Sequence, residues 1–274
     1  MIFYFSGTGN TEWAAREMSA ALGEELRPIP RLDPEKEVFT LRPDETIGFC
    51  FPVHAWRPPA IVREFIRKCR FSQPEGHFCW ILCTAGDDIG ETIDIAQRDL
   101  ATTGLHADCV FSLIMPESYV GMPGMDVDTA EMAEKKKARA AERIEGYIRH
   151  VKQRDKGYSA LDLSRWPRIN SRLLGSLFNR FLVKDSPFVV DKERCKKCGK
   201  CVSACPVDNI ILDGERHPQW LHNGRCTTCF ACYHHCPAHA IEWGKMTRHK
   251  GQYCFVKEFR SGGVKEFRSE GALE

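Results

Sequence analysis

Two cysteine runs in the C-terminal third restrict the fold of this chain more than any other feature of its sequence. Residues 195–206 read CKKCGKCVSACP, and residues 226–237 read CTTCFACYHHCP. Each run spaces its four cysteines as C-x2-C-x2-C-x3-C and ends in proline, and Ile210 and Ile241 extend the correspondence beyond the runs. A duplicated half-domain is the simplest interpretation of this repeat.

The spacing of the cysteines predicts two [4Fe-4S] clusters. Three closely spaced thiolates hold three corners of an iron–sulfur cube, and in two-cluster ferredoxins the fourth cysteine of each run reaches the other cube. This rule predicts one cluster on Cys195, Cys198, Cys201 and Cys236, and a second on Cys226, Cys229, Cys232 and Cys205. Structural zinc is the alternative, but zinc modules usually separate two ligand pairs by a dozen or more residues.

The other cysteines and the histidines of the second run need no metal. Four cysteines lie in or beside predicted strands, where cysteine behaves as a small buried hydrophobe, namely Cys50, Cys79, Cys83 and Cys109. Cys69 ends a predicted helix and Cys254 lies near the end of the chain. Since the second run already has four cysteines at the expected offsets, His234 and His235 are predicted to be surface residues.

Bulk composition excludes several classes of protein. The formal net charge is only +2, which does not favour nucleic-acid binding. The sequence has no stretch of roughly 20 apolar residues that could span a membrane and no recognisable export signal. Fourteen cysteines in such a chain favour cluster chemistry in a reducing compartment over disulfides, so we expect a cytoplasmic protein.

Residues 1–155 alternate short apolar runs with helical patterns. Strands are predicted at residues 1–5, 37–41, 46–51, 78–83 and 108–115, and helices at about 11–23, 58–69, 89–103 and 127–154. The strands are apolar throughout, as strands buried on both faces should be. The pattern therefore predicts an α/β domain with a parallel sheet that helices cover on both faces.

The chain divides into four predicted segments. They are an α/β domain at 1–155, a helical connector at 156–187, a cysteine-rich domain at 188–245 and a polar tail at 246–274. The tail contains the short repeat VKEFRSGG and VKEFRSEG. The connector contains an apolar and basic stretch at 173–183, which either packs between the two domains or lies on a membrane surface or a partner.

A glycine-containing loop follows the first strand. Nucleotide hydrolysis is disfavoured because a P-loop needs a lysine, and none precedes Lys36. A dinucleotide fingerprint is disfavoured because Glu12 replaces its third glycine. The pattern favours a cradle for one phosphate at a helix N-terminus, although an ordinary glycine turn is the alternative. The predicted FMN phosphate loop consists of Ser6, Gly7, Thr8, Gly9, Asn10 and Thr11.

The stretch IFYFSGTGNT resembles the first strand and phosphate loop of flavodoxins. Together with the two cysteine runs, the whole chain resembles the EFR-family ferredoxins, in which a flavodoxin-like domain is fused to a two-cluster ferredoxin. The resemblance implies a doubly wound, five-stranded parallel sheet of order 2-1-3-4-5, with FMN at the switch point between the first and third strands. A small α+β bacterial-type 2[4Fe-4S] ferredoxin domain would follow.

Three further loops are then expected to line the flavin, because ligands of open α/β sheets bind beyond the carboxyl ends of the strands. The predicted contacts are Pro52, Val53, His54 and Trp56 after the third strand, Thr84, Ala85 and Gly86 after the fourth, and Tyr119 after the fifth. Trp56 or His54 is expected to stack on the ring, unless each only anchors its loop. Asp87 and Asp88 are expected to cap the next helix.

The combination predicts an electron-transfer oxidoreductase. Cubane clusters pass single electrons and a flavin exchanges one or two, so both on one chain make an internal relay. In the favoured interpretation the protein is a carrier between redox proteins. One alternative is a reductase of a small molecule, in which His54 is a candidate general acid. A less favoured alternative is a redox sensor.

Overall fold

The first part of the chain forms a twisted parallel sheet. The computed structural model describes residues 1–255, so the VKEFRS repeat at 256–271 lies outside the described residues. Six strands pair in the order β2-β1-β4-β6-β7-β8. Their bounds are β1 Ile2–Tyr4, β2 Leu26–Pro28, β4 Ile47–Pro52, β6 Cys79–Ala85, β7 Cys109–Ile114 and β8 Ser159–Ala160, and all pairings are parallel. Counted along the chain, the first five sheet strands have the flavodoxin-like order 2-1-3-4-5, which confirms the predicted fold class.

Two strands differ from the prediction. The second strand of the sheet is β2, whereas residues 37–41 contain β3, Val38–Thr40, which pairs with β5, Arg70–Ser72, in a separate two-stranded sheet. The apolar signal of β3 comes from Phe39, which is 2% exposed and packs with its ring centroid 4.8 Å from that of Phe3. The sheet also gains β8, which lies in the predicted connector.

Four helices cover the two faces of the sheet. They are α1 Asn10–Leu22, α2 Ala60–Lys68, α3 Thr92–Ala101 and α4 Ala130–Gln153. Helices α1 and α4 pack on one face and α2 and α3 on the other, and neighbouring strand residues point into opposite layers of the core. This arrangement leaves the carboxyl ends of the strands as the open edge at which the loops converge.

A single run of helix leads out of the sheet domain. It comprises α5 Pro167–Ile169, a π-helical turn at Asn170–Leu174 and α6 Gly175–Phe181, and we call these residues, 167–181, the connector helix. A bidentate ion pair of Arg172 with Glu91 joins it to the N-terminal end of α3. None of the helices within residues 1–255 is long and apolar enough to span a membrane.

The cysteine-rich region folds as two short antiparallel sheets and two short helices. Strand β9 Phe188–Val190 pairs with β12 Ile241–Trp243, and β10 Ile210–Leu212 pairs with β11 Pro218–Trp220. Helices α7 Lys200–Ser203 and α8 Ala231–His234 lie in contact. The segment that follows β12, residues 246–255, then runs back to the sheet domain, where the N–H of Phe255 donates to the carbonyl of Thr8. We call it the return segment.

Candidate functional site

The loop between β1 and α1 presents unsatisfied backbone donors. Gly9 lies just before α1 with φ of 99°, a left-handed conformation that favours glycine, and it has no side chain to cap the helix. Its own N–H donates to Ser6 Oγ at 3.2 Å. The first N–H groups of a helix have no acceptor within the helix, and they stand at the positive end of its dipole. An external anion is therefore the natural acceptor at this loop.

A cleft lies over this loop at the carboxyl ends of β1, β4, β6 and β7. Every predicted flavin contact except Gly9 lines it. Those residues are Ser6, Gly7, Thr8, Asn10, Thr11, Pro52, Val53, His54, Trp56, Thr84, Ala85, Gly86 and Tyr119. The topology thus brings four segments that are distant in sequence to one site, at the switch point of the sheet.

Side-chain hydrogen bonds fix the loop in the cleft. The hydroxyls of Thr11 and Thr84 lie 2.7 Å apart and join the loop to the end of β6. Thr8 donates to Ser118 at 3.3 Å, and the Asn10 amide donates to a carbonyl after β7 at 2.9 Å. Because these groups are engaged by the protein, the loop is held in shape before any ligand binds.

The loop after β4 makes a tight turn into the cleft. His54 and Arg57 exchange backbone hydrogen bonds, and between them Ala55 and Trp56 have positive φ angles of 49° and 59°. Burial lowers the pKa of His54 to about 4. Its imidazole is therefore neutral near pH 7 and has no readily available proton for general-acid catalysis.

Tyr119 lies where the cleft meets the second domain. Its ring packs edge-on against Phe178 of the connector helix and Phe230 of the cysteine-rich region, with centroids 5.5 and 5.4 Å away. Burial raises the pKa of its hydroxyl, so Tyr119 stays protonated. The residue therefore lines the cleft and at the same time packs against Phe178 and Phe230.

Several residues of the cleft carry no signal in the sequence. Glu117 lines it, and burial raises the pKa of its carboxyl, while its Oε1 accepts hydrogen bonds from the backbone N–H groups of Ser118 and Tyr119. A side chain at Gly86 would collide with the Glu117 carboxylate. The remaining lining residues, which were not predicted to lie in the cleft, are Ala55, Asp87, Asp88, Met115, Ser118, Met122, Met125, Phe178, Thr227, Thr228 and Cys229.

The cysteines of the two runs are sorted between two cavities. Three cysteines of one run and the last cysteine of the other line each cavity, as the crossed pattern requires. One cavity is lined by Cys195, Cys198, Cys201 and Cys236, and the other by Cys226, Cys229, Cys232 and Cys205. We call them the outer cavity and the inner cavity, because Cys198 in the first is exposed and Cys229 in the second faces the cleft.

The backbone repeats around the two cavities as the sequence does. Three residues of the first half have left-handed φ angles, and their counterparts in the second half share them, as the pairs Lys197 and Thr228, Gly199 and Phe230, and Asp208 and His239 show. In both halves a backbone N–H donates to the last cysteine sulfur, at 3.3 Å to Cys205 and 3.2 Å to Cys236. Such N–H···S bonds tune the reduction potential of clusters.

Burial opposes ionisation of four of the cavity thiols. It raises the pKa of Cys226 to about 12 and that of Cys201 to about 11, and it also raises the pKa values of Cys229 and Cys232. Thiolate is the form that binds metal, so a cationic centre must displace these protons. These four thiols therefore fit a metal centre better than they fit separate charges.

The inner cavity and the cleft share a wall. Cys229 lines both, and a Cβ placed on Gly7 would lie 2.8 Å from Cys229 Cβ and 3.3 Å from its Sγ. Only a glycine at position 7 allows the backbone of the loop to approach a cysteine this closely. The two candidate sites thus adjoin each other where Gly7 approaches Cys229, and Thr227 also lines both.

His234 is buried, so its predicted surface position is wrong. Its Nε2 lies 2.7 Å from the carbonyl of Ser118, and its Nδ1 accepts from the N–H of Tyr253 at 3.1 Å. Burial lowers its pKa to about 4, which keeps the ring neutral. His235 is half-buried. The side of α8 that carries His234 faces the sheet domain, and this packing was not visible in the local sequence.

Comparisons with known proteins agree with the geometry of the cysteine-rich region. Residues 188–237 match the family model of the 4Fe-4S dicluster domain. A ferredoxin of Pyrobaculum islandicum is 32% identical over 93 residues, which cover 31% of this chain and 84% of that ferredoxin.

Two solved structures are similar to part of the chain. One is described as a flavoprotein of Bacteroides uniformis, at 18% identity and a TM-score of 0.32, over 41% of this chain and 88% of its own. The other is a short-chain flavodoxin associated with a bacterial microcompartment, at 13% identity and a TM-score of 0.31, over 54% and 96%. The flavodoxin-like order rests on the strand pairing above and not on these values. The sequence matches show that the chain belongs to the ferredoxin family, through a 4Fe-4S dicluster domain that follows its α/β domain.

Proposed function

We propose that the protein is an electron-transfer oxidoreductase that relays electrons between two [4Fe-4S] clusters and FMN, as a carrier between redox proteins. The observation that supports the relay most directly is the position of Cys229, which lines the inner cavity and the cleft at once. Clusters pass single electrons and a flavin exchanges one or two, so their adjacency allows one-electron and two-electron partners to be coupled.

The cleft fits the phosphate of FMN through backbone donors. Thr8, Asn10 and Thr11 direct their side chains to neighbouring loops, so the N–H groups of the loop and the first turn of α1 would hold the phosphate. The positive end of the helix dipole would offset part of its charge without a lysine. His54, Trp56 and Gly86 would then line the ring and its polar edge.

The eight cysteines would hold the clusters in the crossed pattern that the two cavities outline. The cluster of the inner cavity would adjoin the flavin, and that of the outer cavity would meet external partners, because Cys198 is exposed. Lys196, Lys197 and Arg216 line the outer cavity. A redox partner with an acidic face would be attracted to this rim, at a rate that falls as salt is added.

A flavin-dependent reductase of a small molecule is the second candidate. Met122 and Met125 are 38% and 37% exposed where they line the cleft, so the cleft has an open apolar rim. In this interpretation the proton donor would be Glu117 rather than His54. Burial raises the pKa of the Glu117 carboxyl toward neutral pH, whereas it lowers the pKa of His54 away from it.

Anaerobic purification with iron, sulfide and flavin assays tests the proposal. We expect about eight irons per chain and bound FMN. About four irons, or a preparation that takes up no FMN, would contradict the relay.

A panel of acceptors added after photoreduction separates the two candidates. A carrier is reoxidised by redox proteins and not by small organic acceptors. A reductase is reoxidised by a small molecule, and the Glu117→Gln variant slows that reaction while the matched Asp88→Asn variant, on the same cleft, does not.

A further inference from the structure

The connector helix buries small residues and exposes large apolar ones, which is the reverse of a helix in a globular core. Its buried positions are small, namely Ser171 and Gly175. Ser171 Oγ donates to the carbonyl of Trp56 at 2.8 Å and accepts from the N–H of Glu91 at 2.7 Å. A Cβ on Gly175 would collide with the carbonyl of Ala55. Hydrogen bonds and backbone contact, together with the ring of Phe178 against Tyr119, attach this helix to the protein.

Its outward surface is apolar. Seven large apolar side chains of the connector helix and the residues just before it are between 46% and 60% exposed, most of them three or four positions apart, and they are Leu163, Trp166, Ile169, Leu173, Leu174, Leu177 and Phe181. We call these seven side chains the apolar face. Exposed apolar surface of this size marks an interaction site or a membrane contact.

The polar residues beside the apolar face are cationic. Residues 163–184 contain four arginines and one lysine and no acidic residue, whereas the whole chain has a net charge of only +2. The guanidinium groups of Arg165 and Arg180 lie over the rings of Trp166 and Phe181, at 5.5 and 5.4 Å from the ring centroids. Cations and aromatic rings therefore flank both ends of the apolar face.

We propose that the connector helix docks the protein on the surface of an anionic membrane. Helices of this type lie in the plane of the interface, with apolar side chains in the acyl boundary and arginines at the headgroups. Each cation near an anionic leaflet strengthens binding about five-fold.

A second copy of the chain fits the apolar face less well. A symmetric dimer places the same patch on both subunits, so the cations of one copy would face those of the other, and of these five only Arg172 has an acidic partner described above. A lipid headgroup layer carries the complementary charge. The proposal does not depend on the cofactors, because the apolar face and its arginines are present in the chain itself.

Co-sedimentation of the full-length protein with phosphatidylcholine vesicles, with and without phosphatidylglycerol, tests the proposal. We expect binding only to the anionic vesicles, weakened by salt, and a blue shift of tryptophan fluorescence that is lost in Trp166→Phe. Leu177→Gln should lower the partition coefficient about ten-fold and Arg168→Gln about five-fold. The matched control is Val38→Gln, since Val38 is 54% exposed on the separate β3 strand and should not affect binding.

Other outcomes overturn the proposal. Failure to bind anionic vesicles, or equal losses in Leu177→Gln and Val38→Gln, would exclude docking through this helix. Sedimentation of free protein as a dimer that Leu177→Gln dissociates, without vesicle binding, would assign the apolar face to self-association. All these side chains are exposed, so the variants should keep the unfolding temperature of the parent. A thermal unfolding measurement of each variant verifies this.

Discussion

Replacing Gly7 with alanine should push the two domains apart where Gly7 contacts Cys229. The added Cβ would lie 2.8 Å from Cys229 Cβ and 3.3 Å from its carbonyl oxygen and Sγ, whereas carbon atoms pack best at about 3.5–4.0 Å. Cys229 or the loop must therefore retreat by about 1 Å. Overpacking of this size costs about 1–3 kcal/mol, and in a chain of this length each kcal/mol lowers the unfolding temperature by roughly 2–4 °C.

The assay rests on the proposed relay and follows the exchange of electrons between the clusters and bound FMN, by absorbance after pulsed photoreduction. We expect slower exchange in Gly7→Ala at unchanged iron content, and a parallel assay of bound flavin separates this effect from damage to the phosphate loop. Gly214→Ala is the matched control, because a Cβ there meets nothing within 4 Å. Parental exchange rates and an unchanged unfolding temperature in Gly7→Ala would refute the close approach.

Three more predictions concern the clusters, the connector and acid stability. Cys205→Ser should damage the cluster held mainly by the second run and Cys236→Ser the other, and electron paramagnetic resonance of the reduced protein should show a different signal lost in each; loss of the same signal would contradict crossed ligation. Ser171→Ala removes the hydrogen-bond partner of the buried Glu91 N–H and of the part-buried Trp56 carbonyl, and it should lower the free energy of unfolding by about 1–3 kcal/mol, measured in urea. The pKa of His54 is lowered to about 4 in the folded protein, so below its ordinary value of 6.5 only the unfolded state gains a proton and stability falls. Between about pH 7 and pH 5 the urea midpoint should therefore fall more in the parent than in His54→Gln.

The grouping of the eight cysteines around two cavities could be predicted because it is encoded locally. Three cysteines within seven residues, such as Cys195 to Cys201, constrain each other whatever the rest of the chain does. The position of the loop between β1 and α1 was predictable for a similar reason, since a strand, a glycine turn and a helix start are all recognised from neighbouring residues, while the ligands of both sites stay predictions. The grouping of the remaining cleft residues followed from the order of the strands.

The second strand and the domain junction were not predictable from local pattern. Leu26–Pro28 is short and half-buried, so the apolar Val38–Thr40 gave the stronger signal although it pairs elsewhere. His234, Phe178 and Cys229 acquire their roles only when the second domain packs on the first. Periodicity describes which face of an element is buried and does not identify the partner that covers it.

The contacts of the return segment with the loop between β1 and α1 form late in folding, because they join residues that are far apart in the chain. The Tyr253 hydroxyl donates to Asn10 Oδ1 and the Phe255 N–H donates to the carbonyl of Thr8, so the loop between β1 and α1 receives hydrogen bonds from residues made 243 positions or more later. The same segment is anchored on the cysteine-rich region, where Gln252 donates to the carbonyl of Cys236. Although α/β domains begin to fold during synthesis, this loop reaches its final contacts only after the cysteine-rich region has folded beside it. Nascent chains that stall before residue 253 therefore lack these contacts.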